Sequence, residues 1–541
     1  MKKTICFLCI LALTAGKCMG QNAQPIIRTN QSTITFFEKE NPQKRNWSIN
    51  PQARPDILET SASEVTFFSE KDTLTFKIEK DSIYDFIVLR QKQDTAYTQV
   101  RWISENPLEN PPKWMQKISP SGLLCKKQAE LDINALIYTI GEVHPNMFHN
   151  ISQGEFFTQV NRIKESLPDS ISPINLYKKL TSLVVNLGDG HTGLLMPYNN
   201  QTQVLPMQVN VDVNSLIMTV KSSYDEIIPQ GATILSINGK SYKTILDEMK
   251  TYINGERDFF RIQRLNNSFP EMCHLIYNAE KYEIEYCINK GEKKIATLRP
   301  ASIKETKRHL LPKGKKESRK EAYSFTLMKE KKCAIMDFRS FEKTDKMKEF
   351  ADSMFTTLRE NDIKHLIIDI RNNGGGNSKV GDELFKYISP VPFNQFGNTV
   401  IRITPTTKRI AQYPINMAPG WYFHNALGMI QPLTVEEGHF DGKVYLLTSN
   451  YTFSSASVFS WAFKHFNMGT VIGEETGGMN VHFGDILYYK LPVSGITCYI
   501  SYKRFWNYGA NEQDIHGTLP DHPVPQAEAL EKTLKLIKKS K

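Results

Sequence analysis

The 541-residue sequence predicts a multidomain protein of the α/β and β classes, and three observations carry that prediction. The chain is too long for one ordinary hydrophobic core and reads as about three or four domains. Short β-branched and aromatic runs separated by polar turns fill its early part. Its late part alternates near-continuous apolar runs with amphipathic helices, the pattern of a parallel sheet covered on both faces.

Hydrophobic residues at 40% and charged residues at 23% exclude gross disorder. The formal net charge of +10 is spread along the chain. Its densest run, Lys304 to Lys320, contains Pro312 and Gly314 and no interleaved aromatics. It reads as a solvated linker, so nucleic acid is not an expected partner. At the N-terminus, Lys2 and Lys3 precede an apolar stretch from Ile5 to Leu13 and the small residues Ala15 and Gly16. These are the n-region and h-region of a secretory signal over residues 1–20, with cleavage expected near Gly20–Gln21. Lys17 precedes Cys18 where a lipoprotein signal needs a small residue, which disfavours lipidation. The stretch is too short for a mature bilayer span, and no later one is apolar enough. The expected location is therefore beyond the inner membrane, periplasmic or at the cell surface. Removing the signal leaves Cys125, Cys273, Cys287, Cys333 and Cys498, an odd and scattered set without C-x-x-C spacing, so a zinc site is not expected. Cys273 and Cys287 are candidates for pairing, with isolated buried thiols as the alternative.

Taken in order, residues 22–115 read as a β-rich domain, with strand-like segments Ser63–Phe68, Thr73–Ile78 and Asp85–Leu89, followed by a linker marked by Pro107, Pro111 and Pro112. Residues 120–200 read as helical: Leu131, Ile133, Leu136 and Ile137 recur at helical spacing, as do Phe156, Phe157, Val160 and Ile163. Leu176 to Leu187 forms a further amphipathic helix that runs into Gly188-Asp189-Gly190-His191-Thr192. Residues 204–302 return to strands, with Ile228 to Lys240 giving a turn, a β-run and an Asn-Gly turn before a helix from Tyr242 to Tyr252. This looks like the heart of a PDZ-type domain, which binds an extended peptide by adding it to a sheet edge; a generic small β domain is the plainer alternative. Residues 320–541 form the α/β core, with strands at Lys332–Phe338, Lys364–Ile370, Gly442–Ser449 and Thr470–Ile472 and helices at Asp345–Glu360 and Ser455–Phe466.

Three loops carry candidate chemistry. Asp369-Ile370-Arg371-Asn372-Asn373-Gly374-Gly375-Gly376-Asn377 follows a buried strand, and its glycines let backbone N–H groups converge without Cβ obstruction. Such a cradle suits an oxyanion; a phosphate loop needs a lysine that Gly376-Asn377-Ser378 lacks. Ser454 stands at a strand-to-helix junction, where the helix dipole favours negative charge; read alone, a serine there is more often an N-cap. His191, in a glycine-flanked loop, has the pKa range a general base needs; read alone, an exposed or capping histidine is the commoner case.

Together these loops resemble the C-terminal processing, or tail-specific, peptidases of family S41, over roughly residues 125–525. The helical segment, PDZ-like segment and core follow in that family's order, and the Arg-x-Asn-Gly-Gly-Gly and Ser-x-x-x-Val-Phe elements match its own. The resemblance implies a ClpP/crotonase-like α/β core and places the nucleophile on Ser454. Where lysine-dependent members carry their base this chain has Met479, and a thioether accepts no serine proton. Gly-Asp-Gly-His-Thr looks like the motif of the histidine-based, tricorn-core-like branch, which makes His191 the base. The acidic residue common three positions after the nucleophile is Ser457 here, a departure that weakens the match. Ahead of Gly517-Thr518-Leu519-Pro520-Asp521 the branch's acid falls on Asp514, with Glu512 its competitor; His516 and His522 are rival bases. Gly374, Gly375 and Ser455 would supply the oxyanion hole. No metal or organic cofactor is implied, and the expected partners are peptides or proteins. Two other functions stay open: a non-catalytic periplasmic binding protein on the same fold, and a hydrolase of non-peptide esters or amides. The sequence leaves the oligomeric state open.

Overall fold

The computed structural model describes residues 122–289, 291–310, 321–411, 420–425 and 428–539, together with the strands between residues 25 and 101. The signal read at residues 1–20 lies outside them. Those early strands form a five-stranded sheet, ordered Arg45–Ser48, Thr33–Glu38, Pro25–Asn30, Ile83–Leu89, Thr95–Arg101. A second sheet joins Leu58–Thr60, Glu64–Phe68 and Thr73–Lys77, all antiparallel. The chain divides into two units: Met1–Pro197 with Asn398–Asn425 and Phe483–Phe505, and Tyr198–Gly397 with Ala426–His482 and Trp506–Lys541.

In the first unit, three helices precede the candidate base. Lys126–Val143 ends where it does because His144 precedes Pro145, which holds it extended at φ −68°, ψ 131°. Gln153–Glu165 opens on a reciprocal capping box between Ser152 and Glu155. Pro173–Val185 opens with Ser172 accepting the Asn175 N–H and proline in the first turn, where its missing N–H matters least. Their apolar faces bury Ile133, Leu136, Phe156, Tyr177 and Leu180, each worth about 1.5–3 kcal/mol of transfer free energy. One sheet runs through Gly193–Leu194, Thr497–Asn507, Phe396–Ile403 and Gly420–Asn425, with Val481–Lys490 beside Thr497–Asn507. The sequence reading had isolated none of these strands. Buried Asp132 ties the turn between the late strands to the first helix by accepting the N–H groups of Val493 (2.9 Å) and Ser494 (2.8 Å).

In the second unit, Met207–Val211, Met218–Ser223, Thr233–Ile237, Tyr282–Cys287 and Lys293–Leu298 form an antiparallel sheet. The helix Tyr242–Lys250 falls where the Asn-Gly turn placed it. A second helix, Asp258–Tyr277, was missed because Pro270 lies inside it. The basic run is also corrected: its start is helical, Ile303–Leu310, because Ser302 and Glu305 cap one another's backbone N–H groups (3.2 and 3.0 Å). Residues 311–320 lie outside the described residues.

The α/β core is a six-stranded sheet ordered Tyr323–Met328, Cys333–Phe338, His365–Asp369, Lys443–Thr448, Thr470–Gly473, His522–Pro523. Only the first pair is antiparallel. Leu366, Ile368 and Leu446 pack with the helices Thr344–Glu360, Lys379–Ile388 and Ser455–His465 on one face. Ile367, Tyr445, Leu447 and Ile472 pack under Ala529–Lys539 on the other. Burial on both faces is why these strands read as unbroken apolar runs. Cys125, Cys273, Cys287, Cys333 and Cys498 are free thiols, which decides against the Cys273–Cys287 pair. No described helix is long and apolar enough to cross a membrane.

Candidate active site

Strand Lys443–Thr448 delivers the chain into a tight elbow at the start of helix Ser455–His465. Ser454 occupies the N-cap position but makes no capping hydrogen bond with its side chain. Its backbone sits at φ 53°, ψ −130°, a region non-glycine residues avoid. Such a conformation costs on the order of 1–3 kcal/mol and persists only where the surroundings impose it. The surroundings are specific. Thr452 accepts the Ser449 N–H (3.0 Å) and gives its hydroxyl to the Ile370 carbonyl (3.1 Å). Ser449 gives its hydroxyl to the Arg371 carbonyl (2.5 Å), and the Phe453 N–H donates to the Asn373 carbonyl (3.1 Å). The elbow is thus sewn to the glycine loop that follows His365–Asp369.

That loop turns on fully buried Asn373, whose amide donates to the Phe338 carbonyl (2.9 Å). Gly375 has φ +98°, and a Cβ there would stand 2.8 Å from both the Ser454 Cβ and the Ser455 nitrogen. Glycine is therefore required for conformation and for space. Of the three donors expected at the oxyanion hole, the Gly375 N–H is turned to the Asn373 side chain (2.9 Å). Among the described residues the N–H groups of Gly374 and Ser455 make no hydrogen bond, and the Ser455 N–H belongs to the unsatisfied first turn of its helix. The Ser455 hydroxyl accepts from Ser378 (2.8 Å) and donates to the Gly376 carbonyl (2.6 Å), fixing the distance between loop and helix. Ser457 donates to the Gly478 carbonyl (2.6 Å) and meets the Thr476 hydroxyl (2.7 Å). Met479 follows directly.

In the first unit, His191 lies in the loop after helix Pro173–Val185. Gly188 makes the turn at φ +66°, where a Cβ would strike the Asn150 side chain at 2.6 Å. Asp189, fully buried, then accepts the His191 backbone N–H on Oδ1 (2.8 Å), with the His191 Nδ1 at 3.9 Å. Its other oxygen accepts the Ser501 hydroxyl (2.6 Å) and faces His144 Nε2 (3.2 Å). Beyond the loop, Thr192 accepts the Ser501 N–H (3.0 Å) and Gly193 pairs opposite Tyr499. Burial by itself pushes the Asp189 carboxyl up, but the hydrogen bond and field of His144, the His191 charge and the Ser501 hydroxyl outweigh it and hold the group well below the usual carboxylate range. Asp189 was part of the motif that singled out His191, yet sequence reasoning gave it no role.

The remaining candidates lie in the second unit. Asp514 accepts the Asn511 N–H (2.8 Å) and stands 3.7 Å from His516 Nε2. Glu512 accepts the Trp506 indole N–H (3.0 Å). The structure thus brings Ser454, Ser455, Gly374 and Gly375 together in one loop pair, and sets His191 on Asp189.

Residues 332–524 match the model of peptidase family S41. Among solved structures, mature CPAF is similar at 13% identity over 76% of this chain and 97% of its own, with a TM-score of 0.57. A serine-to-alanine mutant of CPAF matches over the same shares at 13% identity and a TM-score of 0.59. The photosystem II D1 C-terminal processing protease matches at 13% identity over 76% and 97%, with a TM-score of 0.39. At such identities the CPAF likeness is one of fold.

Proposed function

We infer that this chain, whose residues 332–524 match the model of peptidase family S41, is a serine-type peptidase that cleaves peptide bonds through an acyl-enzyme on Ser454, with His191 as general base. The observation that carries this reading is the elbow: a serine held in strained backbone at a helix start, against a glycine loop with two unused N–H donors. His191 takes the hydroxyl proton as the Ser454 Oγ attacks the peptide carbonyl carbon, and returns it to the leaving amine. Water then attacks the acyl-enzyme with the same base, releasing the second product and restoring Ser454. The Gly374 and Ser455 N–H groups receive the oxyanion, each worth about 3–4 kcal/mol in the transition state.

Asp189 stabilises the imidazolium from within the His191 loop. The C-terminal acid read from the resemblance, Asp514 with Glu512 as competitor, is the second carboxylate of the proposal; Asp514→Asn and Glu512→Gln, assayed side by side, separate the two. The PDZ-like sheet at residues 204–302 presents a chain end or unfolded segment as substrate, and the N-terminal signal sends the protein beyond the inner membrane.

A fluorophosphonate probe tests the reading, since only an activated serine reacts with it. The wild type should label, and Ser454→Ala and His191→Ala should not. Absence of labelling in the wild type would favour the binding-protein alternative. Labelling without cleavage of any member of a peptide library would favour a non-peptide hydrolase.

A further inference from the structure

We propose that His144 is a positioning residue for the His191 loop, acting through Asp189; the inference rests on the reading of His191 as base. The argument begins with the tautomer. His144 Nδ1 accepts the backbone N–H of Asn146 (3.0 Å), so that nitrogen carries no proton. The ring's proton is therefore on Nε2, which points at Asp189 Oδ2 (3.2 Å). His144 thus donates from Nε2 to a buried carboxylate.

The placement of that donor is over-determined. Pro145 ends the first helix at His144, whose N–H closes on the Ile140 carbonyl (2.7 Å). The ring is fully buried and packs on Phe483, with centroids 4.6 Å apart. With His144 and Ser501 both on Oδ2, the carboxylate plane is set with Oδ1 toward the His191 backbone and imidazole. The His191 Nδ1 at 3.9 Å is beyond hydrogen-bond reach and closes with a small movement, as catalytic contacts in unliganded enzymes commonly do. A carboxylate free to rotate loses that aim.

Two substitutions of like size separate positioning from packing. Glutamine places its amide nitrogen near the Nε2 position and keeps the donor to Asp189; asparagine reaches only the Nδ1 position. His144→Asn and the shape-conserving His144→Phe should lower kcat roughly 10- to 100-fold with KM within about twofold, whereas His144→Gln should return kcat to within about threefold of wild type. Amide hydrogen exchange gives a readout independent of turnover: the His191 N–H should exchange at least about tenfold faster in the Asn and Phe variants and at the wild-type rate in the Gln variant. Should His144→Phe not fold, Ser501→Ala removes the other donor to the same oxygen and should give the same loss of protection. Wild-type kcat in His144→Asn, or equal impairment of the Gln and Asn variants, overturns the proposal. Probe labelling of His191→Ala at the wild-type rate overturns instead the reading beneath it, and the proposal with it.

Discussion

The Ser454 elbow and the His191 loop solve one problem, holding a side chain still, by opposite means. The elbow does it with backbone. Glycines, short turns and hydroxyl-to-carbonyl bonds leave Ser454 at φ 53° with no room beside it. The imidazole loop does it with charge, a fully buried Asp189 collecting donors from elements far apart in sequence. The first device resists side chains that are too large; the second resists loss of any donor, because a buried carboxylate short of partners is strongly destabilised.

Substitutions test that contrast, beginning with the largest effect. Ser454→Ala should lower kcat by about 10⁴-fold or more while leaving the fold intact. Ser454→Gly should be equally inactive yet melt higher than the alanine variant, since glycine accepts the positive φ at no steric expense, a gain of about 1 kcal/mol. If the two variants melt together, the elbow is not strained. Gly375→Ala should lose roughly 10²- to 10³-fold in kcat, because the added methyl collides with Ser454 and displaces the donors beside it.

Asp189→Asn keeps the shape of the charged site but not its charge, and should lower kcat by about 10²-fold or more. It also carries a pH signature. The Asp189 carboxyl is held below its unfolded value, so its stabilisation is present above the ordinary carboxylate pKa of about 4 and is lost as pH falls through the folded value. The melting-temperature gap between wild type and Asp189→Asn should therefore be constant from about pH 7 to pH 5 and shrink on further acidification. A gap that widens in acid contradicts the assignment. The smallest effect belongs to Ser172→Ala, which removes the cap of the helix leading to His191: about 1 kcal/mol by urea denaturation, with kcat nearly unchanged.

The contrast also explains what could be read in advance. Gly374 to Gly376, the strand before them and the strand-to-helix step at Ser454 are local signals, each set by a few neighbouring residues, and the structure has them as read. The apolar runs of the core strands announced their burial for the same reason. His144 and Ser501 were invisible because they lie 45 and 312 positions from Asp189, and nothing near either residue marks it as a donor to a distant carboxylate. Helix Asp258–Tyr277 was hidden by Pro270, a residue that reads as a break wherever its context is unknown. The turn of the Gly375 N–H toward Asn373 was likewise illegible, since it is a rotation of one peptide plane.

The span between Asp189 and Ser501 also has a meaning in time. A chain is made from its first residue to its last. Every partner of the elbow described above lies between Phe338 and Gly478, ahead of Ser501 in the chain. Ser501, and the backbone opposite Gly193, arrive only afterwards. A nascent chain, or one truncated before this segment, thus lacks the Ser501 donor to Asp189 and the strand opposite Gly193.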